Sequence, residues 1–184
     1  MRLGVKFEVK VPDFVEITRS HISPQNEVLA LALGKAQSLV SRFPGCLILG
    51  CDTLVVLGDK KMGKPKDEKD ALRMLRELSG KTHQVFTGMY LLDSQLGKHW
   101  EAVEETKVKM RAFSEKEAKA YVATGEPLDK AGAYGIQGEG GRLVEFIEGE
   151  FYNVVGLPIK RLAKILEEVG IRIDLRKFDD IQQR

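Results

Sequence analysis

Cysteine is scarce in this chain of 184 residues: there are two, Cys46 and Cys51, close together in one apolar run, where an extended backbone does not bring them into disulfide geometry. A disulfide-stapled secreted fold is therefore not expected, and both cysteines are read as reduced core thiols. Long hydrophobic runs are missing as well. Nothing approaches the ~20 apolar residues needed to cross a bilayer, and Met1 to Phe7 lacks the apolar core of a signal peptide. A cytoplasmic protein with no membrane partner is expected. Nor does either sign of charge dominate, because 29 Lys and Arg stand against 27 Asp and Glu. The resulting +2 argues against electrostatically driven binding, so no nucleic-acid partner is expected. Internal repeats, a Gly-x-Ser-x-Gly nucleophile motif and the Gly-x-x-x-x-Gly-Lys-Ser/Thr phosphate loop are all absent. The three histidines, His21, His83 and His99, have no metal-ligand spacing.

What is present is ordinary globular composition, 43% hydrophobic and 30% charged, in a length that suits one domain. One domain over 1–175 is expected, followed by a polar tail over 176–184. The alternation in Phe7-Glu8-Val9-Lys10-Val11 predicts a half-buried strand broken by Pro12. Ser23-Pro24 predicts a helix start, with Val28, Leu29, Ala32, Ala36 and Leu39 continuing at helical spacing to about Arg42. The apolar run from Leu47 to Leu57 reads as a strand buried on both faces and therefore central. Asp67 predicts the cap of a helix through Ala71, Met74, Leu75 and Leu78. Strands follow over 82–92 and 100–110, joined by a polar hairpin. Ser114 and Glu117 form a capping box, Leu143 to Ile147 a strand, and Leu157 to Val169 a closing helix behind Pro158.

Three features point to chemistry. Asp52 interrupts the apolar run, and burying an unpaired carboxylate costs several kcal/mol, so it needs a cation, a metal or an open strand end; a capping or turn aspartate is the other reading. Gly63-Lys64-Pro65 resists regular helix and can present an ammonium to phosphate, although the same tripeptide makes ordinary turns. Residues 125–141 hold six of the eighteen glycines, a density that lets backbone approach a ligand closely. Tyr134 and Ile136 alternate with those glycines, which implies an ordered, partly buried path. Spacing alone supports a phosphate-handling α/β protein.

Taken together, Gly50-Cys51-Asp52-Thr53-Leu54-Val55, Gly63-Lys64-Pro65, the segment from Met74 to Gly88, the segment from Glu126 to Gly138 and Val154-Val155-Gly156-Leu157-Pro158 resemble the Maf family of nucleoside triphosphate pyrophosphatases, collinearly from residue 3 to about 175. The resemblance implies an α/β fold like that of the inosine triphosphate pyrophosphatases, with an elongated mixed sheet, flanking helices and two lobes around a cleft. It implies hydrolysis of a nucleoside triphosphate substrate at the α–β linkage with a divalent cation, Mg²⁺ or Mn²⁺. The Asp-Thr pair and the Ala-Tyr-Gly-Ile-Gln ending are similar to the branch acting on dTTP and UTP.

By this resemblance Asp52 is the catalytic aspartate and a metal ligand, Glu16 an acidic residue near the metal, and Lys35 and Lys64 phosphate-facing catalytic lysines. Thr53 and Gln137 are base-reading residues, while Asp129 and Lys130 are either site residues or structural supports. Family members normally carry a strand, then Ser-x-Arg-Arg and a helix, ahead of the segment that Met1 to Phe7 matches. The expectation is a shortened chain, or a start placed too far downstream, with a sheet edge available to pair as a homodimer. The competing reading is a catalytically impaired, nucleotide-binding relative acting through a division-related partner.

Overall fold

A computed structural model of the chain describes residues 4–16, 21–175 and 178. The helices are α1 (Pro24–Gln37), α2 (Glu68–Leu78), α3 (Glu115–Val122), α4 (Phe151–Val155) and α5 (Ile159–Glu168). The strands are β1 (Leu47–Leu57), β2 (Lys60–Met62), β3 (Thr82–Asp93), β4 (His99–Met110) and β5 (Val144–Glu148). They form a mixed α/β structure in which one five-stranded sheet, ordered β2-β1-β3-β4-β5, is flanked by helices. β1 pairs antiparallel with β2 through Val55↔Met62, and β4 with β5 through Lys107↔Glu148.

Local chemistry sets most of these boundaries. The Ser23 hydroxyl accepts the Asn26 amide with Pro24 at the first helical position, which starts α1. Asp67 caps α2 through the Asp70 amide. Ser114 and Glu117 form the reciprocal capping box of α3.

The chain divides into two compact units, the first comprising Met1–Asp52, Thr87–Glu104 and Gly156–Arg184, the second Thr53–Phe86 and Glu105–Val155. In the first unit the period-2 alternation of β3 sorts two cores. Tyr90 and Leu92 join Ala32 and Ala36 of α1 and Leu39 just beyond it, whereas Met89 and Leu91 join Leu162, Ile165 and Leu166 of α5. In the second unit α2 and α3 contribute Met74, Leu75, Leu78, Ala118 and Tyr121 to a core with Val55, Val85, Val108 and Met110.

Several expectations are corrected. Phe7 to Val11 is not a strand, and Phe7, Val9 and Val11 are exposed. Alternation supplies a face but not a partner, and a strand exists only where a neighbouring backbone completes its ladder. β1 is not central: β3 holds that place, and its burial is nearly continuous whereas the first residues of β1 alternate. Both cysteines are free, but Cys46 is exposed at the edge of β1 and so is no core thiol. α4 was not expected, since its five residues carry too little periodicity to register. The polar tail lies outside the described residues except for Phe178.

Candidate functional site

In the first unit two glycines let α1 lie against the sheet. A Cβ on Gly50 of β1 would collide with the Ala32 carbonyl oxygen, and one on Gly88 of β3 would come within 2.5 Å of the Val28 carbonyl carbon. Gly50 and Asp52 share a face of β1, and Ala32 and Lys35 are one turn apart on α1. The close approach of Gly50 to Ala32 thus carries Asp52 to Lys35. Before the helix, Phe14 packs its ring where Gly34 has no side chain, which brings Glu16 to the same place.

The Lys35 ammonium lies 2.6 Å from Asp52 Oδ1 and 2.7 Å from Glu16 Oε1. Exposure is 10% for the Asp52 side chain, 19% for Lys35 and 46% for Glu16, so this triad sits partly out of water. Burial alone would push the Lys35 ammonium down, but its hydrogen bonds to Asp52 and Glu16 and their charges hold it above the ordinary lysine value. Lys35 is therefore a permanent cation at neutral pH. Beside it, burial pushes the Cys51 thiol up to about 12 although Lys35 opposes the change, so the thiol stays protonated at neutral pH.

Among the described residues no group of three or more His, Cys, Asp or Glu side chains could hold a metal ion. Two hard carboxylates meeting at one point are nevertheless the usual protein share of a Mg²⁺ site, the other ligands being phosphate oxygens and water. Asp52 and Glu16 are the two carboxylates here that could hold such an ion, at the point the Lys35 ammonium now bridges.

The second unit holds Thr53, Lys64 and Gln137. Lys64 is exposed and Pro65 behind it is buried, so the tripeptide is anchored at one end and offers its charge to solvent. The Gly132 amide donates to the Gly63 carbonyl at 3.0 Å, tying this loop to the glycine-rich segment. Gly132 has φ 69°, and a Cβ there would lie 2.9 Å from Val55 Cγ2, so both its backbone and its packing require glycine. Thr53 is half-buried on β1, and Gln137 is exposed between buried Gly135 and buried Gly140. Asp129 and Lys130 form an exposed pair at 2.5 Å. The Lys130 hydrogen bond holds the Asp129 carboxyl low, with a smaller contribution from Lys64.

His83 lies on β3, and the sequence assigns it no role. It is 2% exposed, its Nε2 lies 2.8 Å from Tyr134 Oη, and the rings meet edge-on. Its Nδ1 has no partner among the described residues, and burial pushes its pKa from 6.5 down to about 4. Between those values the unfolded chain binds the proton and the folded chain does not, so stability falls as the pH drops. Urea unfolding is expected to show a loss of about 2–3 kcal/mol between pH 7.5 and 4.5, a slope that His83→Gln flattens. A slope that survives this substitution assigns the effect to other groups.

The model of the Maf-like protein family matches residues 1–169. The chain belongs to the Maf-like protein family. Among curated relatives of this Maf-like protein, the dTTP/UTP pyrophosphatase of Dictyoglomus turgidum is 46% identical over 92% of the chain and 88% of that relative. The dTTP/UTP pyrophosphatase of Dictyoglomus thermophilum is 46% identical over 91% and 88%, and that of Symbiobacterium thermophilum 44% over 94% and 88%. In this Maf-like chain the structure brings Glu16, Lys35 and Asp52 into contact in one unit, and places Thr53, Lys64 and Gln137 in the other.

Proposed function

We propose that this protein hydrolyses dTTP and UTP to the nucleoside monophosphate and pyrophosphate. The observation that carries the reading is the Lys35 ammonium shared by Asp52 and Glu16. The names of its relatives at 42–46% identity agree with it.

Hydrolysis at the α–β linkage needs an oriented water and cations facing the phosphate oxygens. Asp52 orients the attacking water and accepts its proton as the new bond to the α-phosphorus forms. Lys35 holds Asp52 in place through their 2.6 Å ion pair, which fixes the carboxylate for its role as a base. Lys64, exposed on its anchored loop, faces phosphate charge. When bound at Asp52 and Glu16, Mg²⁺ or Mn²⁺ supplies neutralisation of phosphate oxygens. Thr53 and Gln137 can each donate and accept, as the O4, N3–H and O2 edge of uracil or thymine requires. We infer a cytoplasmic location, where nucleoside triphosphates are found and free cysteines such as Cys46 and Cys51 persist.

In ¹⁸O water the label is expected in UMP, with pyrophosphate unlabelled, because water oxygen joins the α-phosphorus and the bond to the bridging oxygen breaks. Orthophosphate and UDP as products would overturn the assignment.

A further inference from the structure

The glycine-rich segment of the second unit is closed by Glu126, a motif residue to which the sequence assigns no role of its own. Glu126 Oε1 accepts the Tyr121 hydroxyl at 2.8 Å and the Gly140 amide at 3.1 Å, while its Oε2 accepts the Glu139 amide at 3.0 Å. The Tyr121 oxygen in turn accepts the Gly135 amide at 2.9 Å. Backbone amides on both sides of Gln137 therefore end on one acidic group, directly or through one buried hydroxyl. The glycines make this possible: a Cβ on Gly135 would stand 2.9 Å from Glu126 Oε1, and one on Gly138 would collide with the same carboxylate. A Cβ on Gly140 would collide with the Tyr121 hydroxyl. Small residues here give room for a clamp as well as backbone freedom.

Electrostatics agree with the geometry. Burial opposes the Glu126 charge, but the Tyr121 hydroxyl and the Gly140 and Glu139 amides outweigh it and hold the carboxyl below its ordinary value. Burial keeps the Tyr121 hydroxyl protonated well above neutrality, so it stays a donor. A loop this rich in glycine samples many conformations unless it is tied, and an exposed glutamine at its tip would share that freedom.

We propose that Glu126, acting with Tyr121, is a positioning residue that sets base selectivity by fixing the loop that carries Gln137. This rests on the reading of Gln137 as a contact to the base. Glu126 does not touch the reacting atoms. It decides whether the Gln137 amide already points correctly when the nucleotide arrives, and selectivity falls when a polar reader is free to turn away.

The test compares wild type with Glu126→Gln, Glu126→Asp, Tyr121→Phe and Gln137→Ala, measuring kcat/KM for UTP and CTP, melting temperature, and amide exchange across residues 135–141. Glu126→Gln is expected to accelerate exchange at Gly135, Glu139 and Gly140, to leave exchange in α1 unchanged, and to lower the UTP-to-CTP ratio by ~10-fold. Tyr121→Phe, which removes only the bridging hydroxyl, should move both readouts the same way by less, and Glu126→Asp should restore part of the ratio. Unchanged loop exchange in Glu126→Gln overturns the proposal. So does an unchanged ratio in Glu126→Gln when Gln137→Ala lowers it. A ratio that does not move in Gln137→Ala overturns the base-contact reading and the selectivity role with it, whereas the exchange data judge the clamp separately.

Discussion

Asp52→Asn is expected to lower kcat for UTP by at least ~10²-fold, because an amide cannot take a proton from water and is a poor ligand for a hard cation. The structure predicts that this loss comes without unfolding. Asparagine is isosteric, its carbonyl oxygen can still accept the Lys35 ammonium, and Lys35 keeps Glu16 at 2.7 Å. The ion pair forfeited is only partly buried, so a cost of about 1 kcal/mol is expected, or roughly 2–4 °C in melting temperature for a chain of this size. Kinetics and thermal unfolding on one preparation decide the matter. A fall in activity matched by a melting-temperature loss of 15 °C or more, as an order-of-magnitude mark, would make Asp52 a structural residue.

Some of this was legible in the sequence, and the division has physical causes. Signals within a few residues were read correctly: Ser23-Pro24 and Asp67 as helix starts, Ser114 with Glu117 as a capping box, and the turn between β3 and β4. Asp52 stood out because a charge inside an apolar run needs an explanation. Its partner Lys35, however, lies on a helix 17 residues away, and only the fit of Gly50 against Ala32 brings the two together. Spacing holds no trace of that packing, so Lys35 and Glu16 were identified by resemblance alone. Phe7 to Val11 misled for the opposite reason: its pattern is local and correct for a strand, but strand formation is decided by a neighbour. The rank of β1 in the sheet failed in the same way, since an apolar run reports burial and not order. Glu126 escaped because its role shows only when residues 135, 139 and 140 are seen to converge on it.

Lys35→Met should separate the two roles that Lys35 fills. Removing the ammonium leaves Asp52 and Glu16 facing each other without an internal cation, and losing the one partner that two partly buried carboxylates share is costly. Because Glu16 is half open to water, a discounted loss of about 2–3 kcal/mol is expected, roughly 5–10 °C in melting temperature without divalent ions. The pair holds the Lys35 pKa above its ordinary value, so its contribution is complete below that value and disappears only as the pH rises through the higher, folded one. The stability difference between wild type and variant should consequently stay flat from neutral to moderately alkaline pH. Added Mg²⁺ then discriminates. In wild type Lys35 already offsets one of the two carboxylate charges and occupies the point between them, so free Mg²⁺ should bind weakly until a triphosphate adds its own charge. In Lys35→Met the same carboxylates offer a vacant dianionic site, and a saturating ion at ~100 times its dissociation constant would return about 2.7 kcal/mol. Thermal shift measurements should therefore show Mg²⁺ raising the melting temperature of the variant by several degrees more than that of wild type, while kcat stays down by ~10²-fold because phosphate charge is no longer met by a fixed ammonium. Equal shifts in the two proteins would place the ion elsewhere than at Asp52 and Glu16, and undiminished turnover would remove Lys35 from the catalytic set.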